Sequence, residues 1–277
     1  MTYLDRLAQE LARVGVGGRA RTRILAEAAD HLADGDEAAF GDPGALAQLF
    51  ADELATQATT RSAYFAFGAL AVAGTGFAAG WLLVVQRGTA DITSAAFLPL
   101  GLVAAFALIA CPQIAFASGL LSLLRARRLA KLRAAPAAEL SLLARRTRTA
   151  LAFGAASMVA FAAYALDYHN SFSRAQVTAG TAGAAALLLP LAVAAIAARR
   201  AAAVRSAVPG DAGDMFDDVP LALPRRPWLA CFALAAVLAV PLLAAGGLDE
   251  GPRNAAAEVL LVVLCFAVFG RRLGLRD

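Results

Sequence analysis

The sequence predicts an all-α protein: a small cytosolic three-helix module at residues 1–58, followed by a six-helix transmembrane bundle over residues 59–277. Three observations lead there. Of the 277 residues, 60% are hydrophobic and 17% charged, with a mean hydropathy of +0.65, whereas a soluble domain is about 45–50% apolar and about 25% charged. The excess apolar residues gather into six stretches, each about as long as a membrane helix. The basic residues gather in every second connection between those stretches.

Residues 1–58 are mixed and charged throughout, with none of the basic start and apolar core of a secretory signal. Tyr3, Leu4, Leu7, Leu11 and Val14 share one face at helical spacing, and Gly15, Gly17 and Gly18 end the first helix. Ile24, Leu25, Ala28 and Leu32 mark a second helix that Gly35 closes. Asp42-Pro43 then supplies an N-cap and an N1 proline for a third, through Leu46, Leu49, Phe50 and Leu54. Each stripe needs a partner, because a short isolated helix is marginal in water. The three can close on one another, or dock on the membrane or on a partner.

The apolar stretches are 63–85, 95–124, 149–166, 177–198, 228–246 and 255–270. Crossing about 30 Å of hydrocarbon takes roughly 20 residues at 1.5 Å each. None of the six holds Lys, Arg or Asp, and their one acid is Glu258. Pro99 and Pro112 predict a kink in the second. Trp81, Tyr164 and Trp228 fall near span ends, where an aromatic ring can put its polar edge among headgroups.

Orientation follows from the cations. All but three of the 25 lysines and arginines lie in 1–62, 125–148, 199–227 and 271–277; Arg87, Arg174 and Arg253 lie on the other side. The positive-inside rule then places both termini in the cytoplasm and the chain, multi-pass, in the inner membrane. Arg125, Arg127, Arg128, Lys131, Arg133, Arg145, Arg146 and Arg148 face a single acid, Glu139, in the connection after the second span. Juxtamembrane cations attract anionic lipid by roughly 1 kcal/mol each and hold topology, a simpler role for them than nucleic-acid binding. Pro136 starts a short interfacial helix there, packing Leu140, Leu142 and Leu143. Gly76 and Gly80 form a small-xxx-small step, which packs helices closely within one chain or joins two copies.

The segment Ile24-Leu25-Ala26-Glu27-Ala28-Ala29-Asp30-His31-Leu32, followed by Phe40-Gly41-Asp42-Pro43 and Leu46-Ala47-Gln48-Leu49-Phe50, resembles the HAAS-type signalling domain. That pattern is a helical hairpin with an acid-His-Leu step, then a Gly-Asp-Pro helix start. The module is also similar to the prefix domain of some bacterial permeases. The resemblance covers residues 1–58 and implies a regulatory role, with a cytosolic partner such as a PadR-type transcription regulator held through Asp30, His31, Leu32, Asp42 and Pro43. This chain departs from longer members by the short acidic stretch Asp34, Asp36 and Glu37.

Catalysis finds no motif. The spans hold no paired aspartates, no Ser/His pair and no H-E-x-x-H, and there is no G-x-x-x-x-G-K-[ST] loop. Cys111, Cys231 and Cys265 sit singly in apolar runs, and His169, beside Asp167 and Tyr168, has no second ligand in register. No enzyme activity, metal or cofactor is expected. A regulatory membrane protein is the leading expectation, and a transporter subunit or small-molecule facilitator built from the six spans is the alternative.

Overall fold

A computed structural model describes residues 1–35, 40–85, 98–167, 173–203 and 206–212, with five further helical positions, Ala256, Val259, Leu260, Val263 and Leu264. The expected span at 228–246, most of that at 255–270, Arg87, His169, Cys231 and Cys265 lie outside the described residues. Among those residues the regular structure is helical throughout. It comprises α1 (Tyr3–Arg13), α2 (Gly18–Asp34), α3 (Pro43–Val85), α4 (Leu98–Leu129), α5 (Ala137–Asp167) and α6 (Arg174–Ala201).

The module forms as its stripes require. The Thr2 hydroxyl accepts from the Asp5 amide at 3.2 Å, and the Asp5 carboxylate accepts from the Thr2 amide at 3.0 Å, so α1 opens on a capping box. It stops where Gly15 turns to φ +84°, with Val16 N–H donating to Leu11 O and Gly15 N–H to Ala12 O. This Schellman geometry satisfies carbonyls that the helix leaves open. Asp42 caps α3, its Oδ2 accepting from the Ala45 amide at 2.8 Å. The first two stripes close on each other and on α3: Tyr3, Leu7, Leu11, Val16, Ile24, Ala28, Ala47 and Ala51 make one buried cluster, whereas of the expected third stripe Leu46, Phe50 and Leu54 pack at its edge and Leu49 is exposed.

Two expected helix ends are absent. The third module helix and the first apolar stretch are one helix, α3, so the division at residue 58 falls inside it. At 1.5 Å per residue its 43 residues span about 65 Å. Nothing in Ala55 to Ser62 breaks a helix: there is no Gly or Pro, and Thr56, Thr60 and Ser62 donate their hydroxyls to carbonyls three or four residues back. Likewise the helix that Pro136 starts does not lie apart. It is the first turn of α5, which runs on through the whole third apolar stretch. α4 continues as helix through Pro112.

The four long helices pack through small residues. Ala66, Ala69 and Ala73 of α3 meet Leu151 and Met158 of α5 and Leu191, Ala194 and Ala198 of α6. Leu70 fills the space left by Gly119 and Gly154, where a Cβ would lie 3.2 and 2.5 Å from its methyl groups. Gly76 likewise admits Leu187 of α6, so its close approach is made within the chain; Gly80 lies one turn further along α3. The Phe77 and Phe161 rings meet edge to face at 5.6 Å.

The outer surface of the long helices carries large apolar side chains. Phe65, Val72, Val103, Phe116 (66% exposed), Val159, Leu189 (67%), Val193 and Ile196 point outward, while Ser118 (0%), Ser122 and Ser157 are buried. Among the described residues, one helix, α6, is long and apolar enough to cross a membrane by length and composition. Its most apolar window has a mean hydropathy of 2.1, and only 22% of that window is buried.

The Asp5 carboxyl is held below its ordinary range, first by the Thr2 backbone N–H and then by the Thr2 hydroxyl. A carboxyl lowered by folding stabilises above its unfolded pKa, near ~3.9, and loses that contribution as pH falls through the folded value. The first turn of α1 is therefore expected to fray in acid, below about pH 4. Amide exchange on the full chain in detergent would check this; an identical acid response in Asp5→Asn would refute it.

Candidate functional site

Where the long helices leave their apolar stretches, charge is drawn inward. Arg125 and Arg128 stand three residues apart near the end of α4, on one face. Glu139 stands in the first turn of α5, where the helix dipole favours an anion. Arg125 Nη1 lies 3.1 Å from Glu139 Oε2, and Arg128 Nη2 donates to both carboxylate oxygens at 3.0 and 3.1 Å. The Arg125 side chain is 0% exposed and that of Glu139 8%, while Arg128 is half-buried and reaches water. Arg146, two turns beyond Glu139 on α5, is also fully buried.

A second set of bonds ties both connections to α3. Asp52 Oδ1 accepts from Gln48 Nε2 and from the Ala207 amide, each at 2.8 Å. Thr56 Oγ1 donates to Asp52 O and accepts from the Ala135 amide at 2.9 Å. Ser206 Oγ donates to Ala135 O at 3.0 Å, and Ala137 N–H donates to Val208 O at 3.0 Å. Arg133 pairs with Glu53 at 3.1 Å, but its side chain is 71% exposed, so that pair adds between 0 and about 1 kcal/mol. Segments 130–136 and 206–208 thus lie together against the turn of α3 that joins the module to the apolar helices. Gly15, at the end of α1, approaches the Ala203 carbonyl at the end of α6, which brings the module's first turn to the same level.

The residues expected to hold a partner divide by role. Asp30 and His31 are exposed on α2, with the His31 ring tilted against Phe40 at 6.4 Å. Leu32 packs into the module core, and Asp42 and Pro43 begin α3. Of the eight cations expected at headgroups, Arg127, Lys131, Arg133, Arg145 and Arg148 are exposed and Arg128 is half-buried. Arg125 and Arg146 correct that expectation. α4 and α5 extend into the basic segment, so these two are fully buried in packed helical turns and not in an open loop. Glu139, Asp52, Thr56 and Ser206 were not expected as site residues. For Glu139 the signal was present, as the lone acid among eight cations. Asp52 and Ser206 carry none, because what they join is 155 and 71 residues away in sequence. Among the described residues no three His, Cys, Asp or Glu side chains converge as metal ligands.

Removing one member of a buried ion pair costs about 3–5 kcal/mol, whereas replacing the pair with apolar groups is often neutral. Glu139→Gln is therefore expected to destabilise the detergent-solubilised chain by about 3–5 kcal/mol in denaturant unfolding. Arg125→Met with Glu139→Leu should recover most of that loss. A Glu139→Gln change that leaves the midpoint in place would sink this account of the packing.

No family model matches the chain, and no curated protein or solved structure matches it.

Proposed function

We propose that this chain is a regulatory membrane protein: six spans in the inner membrane, both termini in the cytoplasm, and an N-terminal module that engages a cytosolic partner. The observation that carries the reading is the continuity of α3. One helix holds Ala47 and Ala51 in the module core and Ala66, Ala69 and Ala73 among the long helices, so a shift at one end is passed along a rod. The collar at Asp52 and Thr56 fixes that rod against both neighbouring connections.

Lipid as the surrounding medium is supported by the apolar exterior. Large exposed side chains on α3 to α6 would be costly in water as a contiguous patch and are at home in hydrocarbon. Their inward hydroxyls bond to their own helices: Ser118 to Ile114 O, Ser122 to Ser118 O and Ser157 to Phe153 O. Leu260 and Leu264, four residues apart and exposed, extend the pattern to the expected sixth span. The resemblance of residues 24–50 to the HAAS-type pattern supports a regulatory partner, of which a PadR-type regulator is the kind implied. No catalytic group, metal or cofactor enters this reading.

A second reading has one observation in its favour. A cavity of about 280 Å³ between α3, α4 and α5 is walled by Phe67, Phe77, Pro112 and Gly154, with Thr75 and Ser157 as its hydroxyls. Such a space suits an apolar compound and would serve a facilitator. It does not account for a module built onto the same helix.

Two measurements test the proposal. Single cysteines at Arg87 and at Lys131 should label from opposite faces of intact cells and spheroplasts; labelling from one face would end the six-span topology. In-cell crosslinking followed by recovery in detergent should retrieve a cytosolic protein with the full chain. Asp30→Ala with His31→Ala should cut that recovery several-fold, and an undiminished yield from the variant would rule out this surface.

A further inference from the structure

The collar contains a cavity larger than the apolar one. About 450 Å³ opens between α3, α5 and the end of α6, within the roughly 300–1,000 Å³ typical of ligand pockets. Leu140 and Ala202 are among its apolar walls, and Thr59, Ser141, Arg148 and Ser206 are its polar ones.

Two of these groups have capacity that the fold does not use. Thr59 is 5% exposed, yet its hydroxyl makes no hydrogen bond within the described residues. Its neighbours Thr56, Thr60 and Ser62 all donate to carbonyls of α3. The Thr59 hydroxyl lines the cavity and is open to a hydrogen-bond partner within it. Arg148 donates through Nε to Ala144 O at 3.3 Å and makes no ion pair among the described residues. Its two terminal nitrogens are left for an anion, in the fork geometry that suits phosphate. Ser141 Oγ donates to Ala138 O and keeps lone pairs free to accept a hydrogen bond.

We propose that this cavity binds the phosphate of an anionic amphiphile, Arg148 taking two phosphate oxygens and Thr59 donating to a third. The apolar wall at Leu140 and Ala202 takes the adjoining carbons. The site lies where the apolar stretches of α3 and α5 begin, at residues 63 and 149, which is inner-leaflet headgroup level; this placement rests on the membrane reading above. Because Ser206 also bonds to Ala135 O in the collar, occupancy would stiffen the junction through which α3 joins the module. The site thereby becomes a means for lipid to regulate the module.

The test uses the full chain in nanodiscs of phosphatidylcholine alone, or with one-third phosphatidylglycerol, read by hydrogen exchange at residues 56–62 and by bound lipid in native mass spectrometry. Phosphatidylglycerol is expected to slow exchange several-fold in the parent chain. Arg148→Gln and Thr59→Val should each abolish that slowing, while Arg145→Gln, an exposed cation outside the cavity, should preserve it. Thr59→Val removes a hydroxyl with no internal partner, so it should fold as well as the parent. Slowing by inorganic phosphate in pure phosphatidylcholine would confirm the phosphate chemistry and identify a soluble source. Equal responses from Arg145→Gln and Arg148→Gln, or none in the parent, would overturn the site. A chain that fails to enter nanodiscs at all would overturn the membrane reading, and the site with it.

Discussion

The packing of α4 against α5 turns on a single carboxylate. Glu139 draws Arg125 out of water and holds Arg128 at its edge. Desolvating a guanidinium is expensive, and the mutual attraction repays it only when the geometry is close and the remaining hydrogen bonds are satisfied. The cost is tolerable here because the pair forms where two helix ends meet. The end of α4 favours cations and the start of α5 favours an anion, so both macrodipoles act in the same direction as the ion pair. Once α4 and α5 are joined there, the seven-residue connection between them has little freedom, and Ala135 is delivered to Thr56.

From that junction the architecture follows by extension along α3. The helix passes from a core of leucines and a tyrosine, through a turn of threonines, to a region packed by alanines and glycines. Each environment suits a different side-chain inventory. The module buries large apolar groups at its centre. The longer part also brings backbones together over Ala and Gly, and several of its large groups, Phe116 and Leu189 among them, point outward, the arrangement that the proposed membrane setting expects. Leu70, seated over Gly119 and Gly154, shows how that close approach is filled.

The cavity in the collar and the exposed face of α2 both bear on α3, the first at Thr59 and the second through the module core. An amphiphile bound at Thr59 and Arg148 would act on the same turn of α3 that Asp52 and Thr56 anchor. A partner on Asp30 and His31 would act on a module whose third helix is that same rod. Coupling of this kind requires no hinge; it requires that occupancy at either place favour one packing of the collar.

Much of this was legible in the sequence, and the limits are physical. Period-3.6 stripes located α1 and α2, Asp42-Pro43 located the start of α3, and the apolar runs located α4, α5 and α6, because those signals are local and each states what one face of a helix must bury or cap. The ends of helices were less legible. A fall in hydrophobicity at residues 55–62, 125–129 and 137–148 reads as a loop, yet Ala, Leu and Arg are good helix formers and carry the helices through those positions. The fate of individual charges was not legible at all. Arg125 and Arg127 are two residues apart in equally basic surroundings, and the rotation of α4 against α5 buries one and exposes the other. Nor could spacing bring Asp52 to Ala207 or leave Thr59 facing an open cavity, since those depend on how four helices come to rest together. Composition and periodicity determined which helices exist and what kind of surface each presents. Tertiary packing alone decided which polar groups meet, because a charge or hydroxyl is satisfied by geometry in three dimensions and not by its neighbours in the chain.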